Sequence, residues 1–222
     1  YVNSEHFPVT ETAIQETLAT GLFTSRGPQS LGWAHQTYAE FLAAWYLVHR
    51  QMTIAQMLSL LIHSGELGRK LIPQLSETAA WLAGMVPDIF QEIMRTNPEV
   101  LLRSDVAAVD AEDRVNLVAT LLNLYDNEQL SDRDWGIREN YKKLKHPGLA
   151  EQLRPYILGR EKGIVVRRVA TDIAEACELQ EVQEDLLKIV LDVNESHAVR
   201  VNVAWAMLRA ADEPTKAKLK PL

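Results

Sequence analysis

Val165-Val166-Arg167-Arg168-Val169-Ala170 returns 34 residues later as Val199-Arg200-Val201-Asn202-Val203-Ala204. Between the two copies, Val182, Leu186, Ile189, Val190 and Val193 follow at spacings of one to four residues, the stripe of an amphipathic helix. Two helices per repeat of about 34–40 residues is the pattern of an α-solenoid. One helix pair cannot bury its apolar stripe alone, so neighbouring pairs must stack. The repeat therefore predicts a helical stack in the C-terminal part of the chain.

Reading back from the repeat, residues 126–147 collect Asp, Asn, Ser and Gly, then Lys142, Lys143 and Lys145 before Pro147. That composition marks a joint between two parts. Residues 110–127 predict a helix with Val118, Leu121, Leu122 and Tyr125 facing inward. Pro87 and Pro98 each open a short helix, at the position where a first turn tolerates proline. Leu71, Leu75, Leu82 and Val86 predict a helix from about Leu67 to Met85, kinked or split at Pro73. Ile54, Met57, Leu58, Leu61 and Ile62 mark another, ended by Ser64-Gly65. Tyr38, Phe41, Leu42, Trp45 and Val48 share one face of a helix starting near Thr37, where Thr37 and Glu40 have capping-box spacing. That face is expected to be buried. Leu22–Ser25, the turn Arg26-Gly27-Pro28-Gln29 and Ser30–Ala34 read as a β-hairpin. Thr10 caps a short helix that runs to Thr20. The fold class is all-α: a helical bundle running into an α-solenoid, with one small β-hairpin near the N-terminus.

The chain has 222 residues, 47% apolar and 24% charged, the mixture of a soluble globular protein. Its formal charge of −7 argues against a general nucleic-acid or anionic-membrane binder. The lone Cys177 excludes a disulfide framework and a cysteine zinc site and points to a reducing, cytoplasmic setting. The longest uncharged apolar run, Phe41–Val48, is far short of the roughly 20 residues that span a bilayer. The chain begins at Tyr1 with no basic-then-apolar leader, so it is expected to be a piece of a larger protein.

Chemistry-bearing motifs are sparse. Neither Gly65–Lys70 nor Gly159–Gly163 has the GxxxxGK[ST] spacing of a phosphate cradle. No GxSxG, HExxH or metal-spaced histidine cluster occurs, so no catalytic residue and no metal set is assigned. Asp110, Glu112 and Asp113 sit at a helix start, where capping and the helix dipole account for them. Cys177 continues the apolar face of Val166, Val169, Ala170 and Ile173 and reads as a structural thiol. The Lys142–Lys145 run reads as a solvated face. Arg167, Arg168 and Arg200, near helix starts, either bond neighbouring turns or contact a partner.

One segment carries more. Trp33, His35, Glu40, Phe41, Ala43, Ala44 and Leu47 resemble the F-x-H-x-x-x-x-E-F-x-A-A-x-x-L signature of NACHT-type STAND NTPases, with Trp33 in place of the usual Phe. In that family the motif closes the winged-helix domain, and the preceding hairpin corresponds to the wing. The motif histidine there can reach the phosphates of bound ADP and hold the protein closed. The resemblance thus makes His35 the candidate nucleotide sensor, while the alternative is a histidine that bonds backbone at the strand-to-helix junction. The helices that follow resemble the helical and HEAT-like arms of the same family.

The resemblance divides the chain into the end of a winged-helix domain (1–50), a helical domain (51–135) and HEAT-like repeats (136–222). It implies a regulatory arm that relays partner sensing to an upstream NTPase domain. ADP or ATP with Mg would bind that domain, and the arm itself would not be an enzyme. The alternative is a stand-alone HEAT-like scaffold for a protein partner. Nucleic acid and membrane are not expected among its partners.

Overall fold

The computed structural model describes residues 8–63, 70–104, 109–132 and 135–217, together with Leu219. Helix α1 (Glu11–Leu18) starts as expected, with the Thr10 hydroxyl accepting the Ala13 N–H. Strands β1 (Phe23–Gly27) and β2 (Ser30–Trp33) form the antiparallel hairpin, with a register shift between Ser25 and Gly27. Helix α2 (Gln36–His49) follows at once. Its N-cap is His35, which makes no side-chain cap bond, so the expected Thr37–Glu40 capping box does not form. The box appears instead on α3 (Ile54–Leu61), where Thr53 and Gln56 satisfy each other's backbone.

Pro73 opens a helix rather than kinking one. Pro73–Leu75 is a single 3₁₀ turn that leads into α4 (Ser76–Met85). Leu71 belongs to neither, because it pairs in an isolated bridge with Ile62 and its N–H bonds the Asn97 side chain. The expected start at Leu67 and the Ser64-Gly65 stop lie outside the described residues. Proline stands first in α5 (Pro87–Thr96) and in α6 (Pro98–Leu101), as the sequence predicts. Helix α7 (Ala111–Asp126) is capped by Asp110 and buries Leu117, Val118, Leu121, Leu122 and Tyr125.

After the short α8 (Trp135–Arg138), a 3₁₀ turn over Tyr141–Leu144 carries Tyr141 and Leu144 into the core. Lys143 is not a solvated residue: its ammonium donates to the carbonyls of Leu102 and Ser104, just past the C-terminus of α6. Helices α9 (Leu149–Leu158) and α10 (Ile164–Ala176) pack as one pair, α11 (Gln183–Leu191) and α12 (His197–Ala210) as the next. Gly148, at φ 83°, makes the left-handed turn that starts the first pair. The pairs stack α9 on α11 and α10 on α12, and α7 packs against α10. A short α13 (Glu213–Ala217) ends the described chain.

The two pairs superpose at 33 residues, not at the 34 of the string match. Arg167 donates to the Ile157 carbonyl and Arg200 to the Val190 carbonyl, each ten residues back. At this offset Leu153, Ile157, Val166, Ala170 and Ile173 align with Leu186, Val190, Val199, Val203 and Ala206, all buried. The 34-residue match would set buried Arg167 against the exposed Val201. Valine is common on both sides of these helices, so identity of letters slips where burial does not.

The three arginines bond neighbouring turns. Arg167 forks onto Glu195 (Nη1–Oε1 3.0 Å, Nη2–Oε2 2.7 Å), with side chains 4% and 6% exposed. Arg168 pairs with Asp132. The Cys177 thiol is buried and donates to the Tyr141 carbonyl; burial pushes it up to about 12, so it stays a thiol. One continuous hydrophobic cluster runs from Ala44 to Ala211.

Candidate hinge between hairpin and helix

The hairpin, the His35 junction and α2 form one unit. The Phe23 and Trp33 rings stack across the two strands with centroids 4.8 Å apart. The Arg26 guanidinium crosses the hairpin and donates to the Trp33 carbonyl. The Ala34 N–H bonds the Leu22 carbonyl, which closes the ladder one residue before His35. The chain then turns directly into a helix, with His35 still extended (φ −131°, ψ 138°).

His35 is exposed at this junction. Among the described residues its ring makes no hydrogen bond; it meets the Tyr38 ring edge-on, centroids 5.5 Å apart. Both ring nitrogens therefore face outward chemistry, one able to donate and one to accept in the neutral ring. The junction reading, in which the imidazole bonds backbone, finds no such bond among the described residues.

The rest of the motif does not sit as expected. Tyr38, Phe41 and Trp45 were expected on a buried face, and all three are exposed, Phe41 by 37% and Trp45 by 43%. Only Ala44 is fully buried on α2, with Leu47 and Val48 packed against the core. The cause is the partner helix. Helix α4 presents Thr78, Ala79, Ala80 and Ala83, a small-residue surface that α2 approaches with its own alanine side. A helix that is apolar nearly all round cannot bury both sides against one neighbour.

The outward side of α2 is thus an aromatic surface. Phe41 meets the Trp81 ring of α4 edge-on at 5.2 Å. Trp45 lies flat on the His49 imidazole at 4.6 Å. Tyr46 is half exposed, and Arg50 both bonds its hydroxyl and covers its ring. These contacts hold the rings in place without covering them. A patch of clustered aromatics in water marks an interaction surface.

Compared with known proteins, the chain matches no protein-family model, no curated protein and no solved structure. Among the described residues, no helix is long and apolar enough to cross a membrane.

Proposed function

We propose that this chain is the regulatory arm of a NACHT-type signal-transduction ATPase, in which the helix pairs sense a protein partner and the hairpin–α2 unit faces an upstream nucleotide switch. The observation that carries it is the aromatic side of α2, uncovered and beginning at an exposed His35. The resemblance puts the nucleotide-binding domain of the same chain on that side. His35 would then give an N–H to the ADP phosphate, a charge-assisted bond stronger than a neutral one. ADP or ATP with Mg belongs to the upstream domain in this reading, the arm carries no catalysis of its own, and the setting is the cytoplasm. The stand-alone scaffold draws its support from the stacked helix pairs alone.

The coding sequence upstream of Tyr1 separates the two. A GxxxxGK[ST] strand-to-helix loop roughly 200–350 residues earlier, one or two domain lengths, is the expected finding. An upstream sequence without a phosphate cradle would overturn the regulatory reading and leave the scaffold.

A further inference from the structure

We propose that the cleft between α8, α10 and α12 binds an acidic peptide segment that also carries a large apolar side chain. The cleft is an open depression of about 520 Å³. Its wall is made by Arg138 of α8, Arg168 of α10, and His197, Val201, Trp205 and Arg209 of α12. Among the described residues no carboxylate lines it, in a chain with 30 Asp and Glu against 23 Lys and Arg. A patch of one sign in a protein of the other is the complement of an anionic ligand.

The arginines are aimed from behind. Arg138 pairs with Asp172 at 2.5 Å, Arg168 with Asp132 at 3.1 Å, and Arg209 with Glu175 at 2.7 Å. In every pair the carboxylate is the more deeply buried member. Each acid therefore fixes one edge of a guanidinium and leaves its other donors turned to the cleft, since a guanidinium carries five N–H groups. Trp205, 58% exposed, has no packing role that needs an indole there, and Val201 lies one turn before it, also exposed. A flat aromatic beside fixed arginines holds an apolar side chain next to a carboxylate.

The chemistry selects among ligand classes. The cleft is too open to enclose a small molecule as such pockets do. A nucleic acid would need many phosphate contacts, against three cations each balanced by an acid and a net charge of −7. One or two carboxylates with an aromatic or aliphatic neighbour match what the wall offers. This inference does not rest on the nucleotide-switch reading, and it stands equally for a scaffold.

The test is selection of a displayed library of linear peptides on this chain, followed by fluorescence anisotropy with the most enriched peptide. Enriched sequences should set Asp or Glu beside Trp, Phe or Leu. Trp205→Ala and Val201→Asp should each weaken that peptide at least about tenfold, as should replacing its Asp and Glu by Asn and Gln. Leu191→Asp, an exposed change on α11 away from the cleft, should leave binding unaltered. Should Val201→Asp lose its helical circular dichroism, Trp205→Ala decides alone. Selection without acidic enrichment, unchanged binding by Trp205→Ala, or equal loss by Leu191→Asp overturns the proposal. Displacement of the peptide by a fifteen-residue oligothymidylate overturns it in favour of nucleic acid.

Discussion

Gln51, Glu128 and Glu178 all have positive φ, between 52° and 58°, and each stands two residues past the end of α2, α7 or α10. Each completes the same C-terminal motif: the next residue's N–H reaches back five positions, as Met52 to Leu47, Gln129 to Leu124 and Leu179 to Ala174. A side chain in this conformation costs roughly 1–2 kcal/mol, which glycine avoids. Glu178→Gly should therefore stabilise the chain by about 1 kcal/mol in urea unfolding, even though glycine is usually a destabilising choice. A second residue-scale expectation concerns pH. The Arg167 fork holds the Glu195 carboxyl below its ordinary range. A lowered folded value means that the charged pair stabilises above the unfolded value, near 4.3, and that this contribution fades as pH falls through the lower folded value. The stability difference between wild type and Glu195→Gln should thus be full at pH 7 and shrink steadily below about pH 4.3, when followed by urea unfolding at a series of pH values. Neither feature was legible beforehand. The left-handed residues are glutamate and glutamine, which carry no turn signal, and Arg167 meets Glu195 only because two helix pairs stack.

At the scale of elements, prolines and periodicity were the readable signals. Pro87 and Pro98 fixed two helix starts, and the inward face of α7 matched its stripe. The face of α2 did not, because its burial is decided by the alanines of α4, 35 or more residues away. The same periodicity that suggests a core face also describes a surface awaiting a partner. Truncation measures the difference. Phe90→Ala, at a ring 3% exposed on α5, should cost about 3–5 kcal/mol. Phe41→Ala, whose ring leans only on Trp81, should cost about 1–2 kcal/mol, since much of its area is already in water. Chemical denaturation of both variants gives the comparison, and equal losses would mean that α2 is a core helix after all. The cleft on α12 left a fainter trace. Val201, Trp205 and Arg209 follow at four-residue steps, an indole on a face that otherwise reads as polar, and only folding adds Arg138 and Arg168 to it.

For the whole molecule, the helical class and the stacked pairs follow from the repeat, and one hydrophobic cluster joins them to the N-terminal helices. The nucleotide belongs elsewhere in the proposed scheme. The chain by itself should neither bind nor hydrolyse ATP, because its sequence contains no phosphate cradle; calorimetric titration with millimolar ATP and ADP in magnesium checks this, and saturable micromolar binding would relocate the site. The central claim is that His35 reports the nucleotide to this arm. In the complete protein, loss of one hydrogen bond to a charged phosphate weakens the closed state by roughly 1.5–3 kcal/mol. That is about one to two decades in a two-state equilibrium. The decisive measurement is the rate of ADP release from the whole protein that carries this chain, wild type beside His35→Ala. Release about tenfold to a hundredfold faster in the variant, with the stability of the isolated chain unchanged, is the predicted result. Unchanged release, together with a destabilised chain, would contradict it.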